Sequence, residues 1–476
     1  QIGNYTDIKT NGAAITIAGS AAATDATPTG YAESVASDYC NGVELGVSNV
    51  ATDSVNIASN GGNIIIRGKQ NYNAASCLGI KSWSGTTINS GAGTVTLAGT
   101  VVNATSANNG HGIELNWSGG YLTKINSAAT SGTAISITGT SSGTSTNGRG
   151  FVTWSGSSTT AHQTRITATG GGDISIVASG TSGAGSNAAT FNATDIYATG
   201  GKVTIDGGNQ EVYIGENSSA GGTYIGGPAS GSNSGDVTIK ADEITFGSTA
   251  STANFQYTPN LFLISNANSF STASVFGAGM SVNSIGYMQI GKATNTADIT
   301  VNGSNSVAGN IDITGGAVTL GGTQTTTNSG NITVTATGAV STGATISSAG
   351  NFTSTGTSFA TTAGSVTTAG APGISITATS GGVALAGGLT AGTSSTGQVN
   401  ITATGALSGA ATISAYYYVQ ASVGSISSTG NITTTNGSGG ISLLTNSGNA
   451  AIGGTLTTQT SNSAPVVVRS SASISL

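Results

Sequence analysis

One ten-residue unit, Ser329 to Gly338, recurs with variations along the whole chain. It reads Ser-Gly-Asn-Ile-Thr-Val-Thr-Ala-Thr-Gly, so a short alternation of apolar and hydroxyl residues lies between two glycines. Related segments begin at Gly62, Gly93, Gly172, Gly235, Gly309 and Gly397. Alternation with a period of two is the pattern of a β-strand, and repetition at intervals is typical of stacked-repeat folds. The repeat therefore predicts a solenoid built from short strands.

The composition is compatible with disorder, and the alternation argues against it. Charged residues make up only 6% of the 476 residues, glycine contributes 76, and the net charge is −6. Gly/Ser/Thr-rich linkers are often disordered, but disordered chains lack β-branched residues at period two and usually carry a high net charge. The recurring Ile and Val pairs thus favour an ordered, all-β chain.

A glycine followed by an apolar residue marks the longer repeats of the first half. The steps are Gly42-Val43, Gly79-Ile80, Gly112-Ile113 and Gly150-Phe151, spaced by 37, 33 and 38 residues. Each interval has room for three short strands and their turns, which predicts one coil of a parallel β-helix. The crossover rule for parallel strands makes this helix right-handed. An antiparallel sandwich is disfavoured, because it would show hairpin signals between neighbouring strands and would not require a repeat of constant length.

Repeat length divides the chain into three regions. Residues 1–250 are expected to form long coils decorated with loops. Residues 251–300 are rich in aromatic residues and are expected to interrupt the solenoid or to form a lateral lobe. Residues 301–476 are expected to form short regular coils, because Gly309, Gly330 and Gly350 are 21 and 20 residues apart.

Two cysteines occupy equivalent places in neighbouring repeats. Cys40 and Cys77 each lie two residues before the glycine of a glycine-apolar step. Equal offsets in adjacent coils bring two Cα atoms within the range of a disulfide, so a Cys40–Cys77 bridge is predicted. The alternative is two unrelated free thiols.

The position two residues after the step glycine holds Glu44, Lys81 and Glu114. Stacked coils place them in one row of alternating charge, which is predicted to be exposed and worth ~0.2–1 kcal/mol per contact. The alternative, with Glu44 and Glu114 as catalytic acid and base, separates the two carboxylates by a coil. We therefore expect this charge ladder to set the register.

The three tryptophans, Trp83, Trp117 and Trp154, lie four or five residues after the same glycines. Their position predicts an outward column of indoles that stacks on sugar rings or packs against a neighbouring fibre. The alternative is that the long loops fold back and cover them. His111 and His162 have no metal-ligand spacing and are expected at the surface.

Several partners and chemistries are disfavoured. The pI of 4.7 and the lack of a Lys/Arg cluster argue against nucleic acid. The sequence has no run of 18 apolar residues, so no transmembrane segment is predicted. No motif predicts a catalytic residue, a cofactor site or a metal site. Two cysteines and few lysines suit an extracellular protein.

Three segments resemble the repeats of filamentous-haemagglutinin-type bacterial adhesins. They are Gly330 to Gly338, Gly397 to Gly405 and Gly440 to Leu443. The resemblance implies a right-handed parallel β-helix, three short strands per coil, exported by two-partner secretion or as an autotransporter passenger. It also implies a location at the bacterial cell surface.

The expected function is therefore a secreted structural or adhesive fibre of the bacterial surface, without catalysis. Surface glycans and receptors on host or neighbouring cells are the expected partners. The first alternative is a self-assembling filament or sheath subunit, because strand-like sequence at Ile15 to Ile17 and at Ser471 to Leu476 leaves edges for another copy. A polysaccharide lyase or hydrolase is a third possibility.

Overall fold

The structure is a computed structural model with two compact units. One comprises Gln1–Ala267 with Gly279–Ser281, and the other comprises Asn268–Ala278 with Val282–Leu476. The residues it describes are 2, 6–18, 32–34, 41–46, 55–70, 78–83, 85–104, 110–117, 121–153, 164–181, 187–215, 222–227, 234–247, 252–392, 396–436, 439–459 and 464–476. Among them there is no α-helix, and hence none long and apolar enough to cross a lipid bilayer.

The first unit is a right-handed parallel β-helix with three strands per coil. Ladder A consists of Val43–Leu45, Ile80–Trp83, Ile113–Trp117, Phe151–Thr153, Ala189–Phe191, Glu211–Ile214 and Glu243–Phe246. Ladder B consists of Asp7–Lys9, Asn56–Ala58, Thr87–Asn89, Thr123–Ser127, Thr164–Ala168, Thr194–Ala198, Thr223–Ile225 and Ala253–Gln256. Ladder C consists of Ile15–Ile17, Ala32–Ser34, Ile64–Gln70, Val95–Ala104, Thr133–Gly143, Asp173–Ser179, Val203–Asp206, Val237–Ala241 and Asn260–Ser265.

The glycine-apolar steps stack in the predicted register. Ile80 pairs with Val43 on one side and with Ile113 on the other, and Ile113 pairs in turn with Phe151. Glycine is needed at these steps because backbones meet there. A Cβ on Gly112 would lie 2.6 Å from the carbonyl oxygen of Gly150 and 2.4 Å from the backbone nitrogen of Thr140. Any side chain at this corner would therefore push neighbouring strands apart.

The second unit repeats the same architecture with shorter coils. Ladder D consists of Ser274–Phe276, Ile299–Val301, Val318–Leu320, Val340–Thr342, Phe359–Thr361, Val383–Leu385, Ala406–Gly409, Ser425–Ser428, Ala450–Ile452 and Ile474–Ser475. Ladder E consists of residues 282–285 of the strand Met280–Ile285, followed by Asn305–Val307, Gln324–Thr326, Ile346–Ser348, Val366–Thr368, Leu389–Ala391, Ile413–Ala415, Ile432–Thr434 and Leu456–Thr457. Ladder F consists of Tyr287–Ile290, Ile311–Gly315, Ile332–Ala336, Phe352–Gly356, Gly373–Ala378, Gln398–Ala403, Tyr418–Val423, Ile441–Thr445 and Val466–Ser470.

The core is a set of apolar rows along these ladders. In ladder F, Ile332 and Val334 are fully buried while Thr333 and Thr335 point away from the core, as the alternation predicts. Aromatic rings from different ladders also meet inside, as do Phe352 of ladder F and Phe359 of ladder D, whose centroids are 6.1 Å apart. Burying such rows in register is the main source of stability in a solenoid.

An asparagine row explains why the repeat reads Gly-Asn-Ile. Oδ1 of Asn310 accepts a hydrogen bond from the backbone N–H of Asn331 at 2.8 Å. Oδ1 of Asn331 accepts from Asn351 N–H at 2.8 Å, and Oδ1 of Asn351 accepts from Gly373 N–H at 2.9 Å. Each side chain thus satisfies the amide that begins the equivalent strand of the next coil. Asp298 does the same for Ala317 at 2.6 Å.

The aromatic-rich residues 251–300 supply coil strands and do not form a lateral lobe. Ala253–Gln256 and Asn260–Ser265 pair in parallel with Thr223–Ile225 and Val237–Ala241 in the first unit. Tyr287–Ile290 pairs with Ile311–Gly315 in the second unit. Phe255, Phe270 and Phe276 point inward and are buried, whereas Phe262 and Tyr287 lie half-buried at outward positions of their strands. The change in composition therefore does not correspond to a different fold.

Candidate functional site

The charged row of ladder A lies in one register. Glu44 pairs with Lys81, and Lys81 pairs with Glu114. The Nζ atom of Lys81 lies 3.8 Å from Oε1 of Glu44. Parallel neighbours are about 4.8 Å apart, so the two carboxylates are separated by about twice that distance.

The row is buried, and the expectation of an exposed charge ladder is wrong. The side chain of Lys81 is 14% exposed, and Glu114 is 0% exposed. The reason is that ladder A is covered on both faces in its early coils, where every residue of Val43–Leu45 and Phe151–Thr153 is buried. Alternation along a strand distinguishes its two faces but does not say which face meets solvent.

Trp83 belongs to the same cluster. Its Nε1–H donates to Oε1 of Glu44 at 2.8 Å, and Nζ of Lys81 lies 4.2 Å from its ring centroid. The second contact is a cation–π interaction. The half-buried indole of Trp83 therefore holds Glu44 and Lys81 in place.

The structure describes only part of the predicted column of indoles. The Trp117 backbone pairs with that of Trp83 after a register shift that follows Glu114, and Asn116 within the shift has a φ of 63°. This shift accounts for the one-residue offset of Trp117 in the sequence. The Trp117 side chain and all of Trp154 lie outside the described residues, as do Cys40, Cys77 and His162.

His111 is buried beside this row, although the sequence suggested a surface histidine. Its Nδ1 accepts a hydrogen bond from the backbone N–H of Arg149 at 3.3 Å. Asn41 has the same role two repeats earlier, where Oδ1 accepts from Leu78 N–H at 3.2 Å. Asn41, Leu78, His111 and Arg149 each directly precede the glycine of a glycine-apolar step. Aligning the repeats at that position could therefore have predicted these contacts from the sequence. A side chain there satisfies the amide of the next coil.

Burial makes His111 and Glu114 a neutral pair near pH 7. Because Nδ1 of His111 is an acceptor, Nε2 carries the hydrogen, and it lies 3.9 Å from Oε2 of Glu114. Burial, followed by the charge of Arg149, lowers the pKa of His111 to about 3. Burial raises the pKa of Glu114 to about 8, against the opposing effect of Lys81 and Arg149. Neither carboxyl oxygen of Glu114 accepts a hydrogen bond within the described part of the chain.

Chemically, this arrangement joins coils rather than presenting a reactive group. A general acid or base has to come within hydrogen-bond reach of its substrate, and Glu114 does not reach the surface. Burial also lowers the pKa of Lys81, with Glu44 and Glu114 acting in the opposite direction. In the described ranges, no group of three or more His, Cys, Asp and Glu residues is placed to hold a metal ion.

No profile of a known protein family matches the chain, and neither does any curated protein or solved structure. The chain is a β-helix repeat protein.

Proposed function

We propose that the chain is a non-catalytic structural or adhesive fibre protein, secreted to the surface of a bacterial cell. The observation that supports this most directly is the uninterrupted stacking of ladders D, E and F. After one register shift at Met280–Ile285, their described coils stay in register around an apolar interior, and uncharged hydroxyl rows such as Thr333–Thr353–Ser375 lie outside. A stack of this kind gives length and rigidity at about 4.8 Å per coil.

The buried charged row is consistent with a structural role. Glu44 is linked to the next coil by an ion pair with Lys81 and a hydrogen bond from Trp83, and Lys81 also contacts the Trp83 ring within its own strand. Truncating one member of a buried pair leaves an unpaired charge and costs about 3–5 kcal/mol. These residues are therefore better suited to fixing the register than to turnover.

The proposal is tested on producing cells and on the purified chain. Protease treatment of intact cells is expected to remove the protein, and immobilised chain is expected to retain cells or cell-surface material. A protein that survives protease on intact cells contradicts the surface location. Turnover of a polysaccharide by the purified chain, lost in a Glu114→Gln variant, contradicts the non-catalytic assignment.

A second candidate function is self-assembly through exposed apolar side chains of the strands Val466–Ser470 and Ile474–Ser475. Val466 is 44% exposed, Ile474 is 47% exposed and Leu476 is 79% exposed. Exposed apolar side chains on strands favour contact with another copy. Electron microscopy is expected to show filaments that a Val466→Lys/Ile474→Lys variant does not form, whereas monodisperse particles of the unmodified chain contradict assembly.

A further inference from the structure

An open groove lies on the outer face of ladder B in the first unit, away from the charged row. Its volume is about 510 Å³, and we call it the Lys124 groove. The lining side chains that matter here are Asn89, Lys124, Asn126, Arg165, Thr169 and Tyr197. The volume falls within the range of about 300–1,000 Å³ that is usual for small-ligand sites.

The register of the ladder determines which side chains meet in the groove. Lys124 pairs with Arg165, and Arg165 pairs with Asp195. In the neighbouring row, Asn126 pairs with Asn89 on one side and with Thr167 on the other, and Thr167 pairs with Tyr197. Two rows of polar side chains thus cross successive coils at intervals of about 4.8 Å.

The charges in the groove do not balance. Arg165 donates through Nε and Nη2 to Oδ2 of Asp195, both at 3.3 Å, and Asp195 is fully buried beneath it. Lys124 forms no ion pair with any described residue. The ladder places Lys124 directly beside Arg165, and like charges on directly opposed strand positions are destabilising. Asp195 pairs with Arg165, so the half-buried Lys124 is one surplus positive charge on a chain whose net charge is −6.

The rest of the lining suits a hydroxylated ligand. Asn89 and Asn126 offer amide donors and acceptors, Thr169 offers a hydroxyl, and Tyr197 offers a ring with a phenolic edge. An aromatic face beside amides and hydroxyls matches the alternating apolar and polar surfaces of a sugar. A nucleic acid is disfavoured, because its affinity depends on neutralising several phosphates and the groove has a single surplus cation.

We propose that the Lys124 groove binds an oligosaccharide that carries carboxylate groups, and this rests on the proposed adhesive role because it names the ligand class. The ammonium group of Lys124 pairs with a carboxylate of the sugar chain. The ring of Tyr197 packs on a sugar face one row away, and the asparagines bind hydroxyl groups. Arg165 stays with Asp195 and adds positive potential.

The test uses calorimetry with a galacturonate hexamer and with its methyl-esterified counterpart, which has no carboxylate charge. The intact chain is expected to bind the acidic hexamer about tenfold more tightly than the ester. Lys124→Gln is expected to remove this difference, and Lys124→Arg to restore most of it. Tyr197→Ala is expected to weaken binding of both ligands. Lys202→Gln and Tyr121→Ala are the matched controls, because both residues are exposed in the same unit and neither lines the groove.

Two results overturn the proposal: absence of hexamer binding by the intact chain, or an equal effect of Lys124→Gln and Lys202→Gln. Circular dichroism of each variant shows whether the fold is kept, and the Lys124→Arg variant reports on the charge if Lys124→Gln unfolds. Cell adhesion measured in parallel separates the two proposals. If either overturning result is found while the intact chain still mediates adhesion, the groove alone is rejected. Lys124-dependent hexamer binding without adhesion supports the groove and rejects the adhesive role.

Discussion

The side chain of Asn331 accepts a hydrogen bond from the backbone N–H of Asn351, 2.8 Å away in the next coil. Asn331→Ala removes this acceptor and is expected to lower the free energy of unfolding by about 1 kcal/mol. Asn331→Asp keeps an oxygen in place, as Asp298 does naturally, and is expected to have a much smaller effect. Urea titrations followed by circular dichroism measure both. Equal losses for Ala and Asp would show that the acceptor is unimportant.

Gly330 occupies a turn where two coils touch. A Cβ there would lie 2.1 Å from the carbonyl oxygen of Gly309, whereas a Cβ on Gly343 would meet only the Thr362 hydroxyl at 3.3 Å. Gly330→Ala is therefore expected to destabilise the second unit by about 1–3 kcal/mol, and Gly343→Ala to be neutral or slightly stabilising. Thermal midpoints of the two variants provide the comparison. A tolerated alanine at position 330 would contradict the close approach.

Ser354 is an inward hydroxyl in an otherwise apolar row. It lies between Val334 and Ile376 and is buried, and its Oγ forms no hydrogen bond with a described residue. Removing an unsatisfied buried hydroxyl relieves a desolvation penalty, so Ser354→Ala is expected to stabilise the second unit by about 1 kcal/mol. Ser375→Ala, on the outward side of the next coil, is the control and is expected to change little. A loss of stability in Ser354→Ala would reveal a role for the hydroxyl.

The shifted pKa values of Glu114 and His111 predict a bell-shaped dependence of stability on pH. The folded pKa of Glu114 is about 8 against an ordinary value of 4.5, so the folded chain holds the extra proton and stability falls as pH rises between these values. The folded pKa of His111 is about 3 against 6.5, so the unfolded chain holds the extra proton and stability rises with pH between these values. The two slopes cancel between pH 4.5 and 6.5. Stability is therefore lost below pH 4.5 because of His111 and above pH 6.5 because of Glu114.

Two variants separate these contributions. Glu114→Gln is expected to remove the loss above pH 6.5, which for one group is at most about 1.4 kcal/mol per pH unit. His111→Asn is expected to remove the loss below pH 4.5 while keeping an acceptor for Arg149 N–H, as Asn41 does for Leu78. Urea midpoints at pH 4, 5.5, 7 and 8 measure both. A Glu114→Gln profile parallel to that of the unmodified chain above pH 6.5 would contradict the buried neutral acid.

The fold follows closely from local pattern. The glycine-apolar steps align Val43, Ile80, Ile113 and Phe151 because a residue with no side chain is required wherever two backbones meet. Alternation then orients Ile332 and Val334 inward, since successive strand residues face opposite sides. Both signals are local, and parallel stacking repeats them without change.

The candidate site was less predictable, because it depends on what lies against the outer face. Position alone placed Glu44, Lys81 and Glu114 in one row, but their burial depends on cover that no periodicity encodes. His111 seemed isolated when only metal spacings were considered. Its partner Arg149 is one repeat away in the sequence. The two residues are related only because each of them directly precedes the glycine of a glycine-apolar step.

Each short coil of the second unit holds a long stretch of chain within a small axial rise. From Gly309 to Gly330 the chain advances 21 residues, which span about 70 Å when extended but about 4.8 Å as one coil. Since each coil is held mainly by its two neighbours, an axial pull detaches coils one after another from an end. A chain built in this way lengthens more than tenfold for each coil that detaches, so the work of a sudden pull is spent on separating coils before the backbone is fully extended.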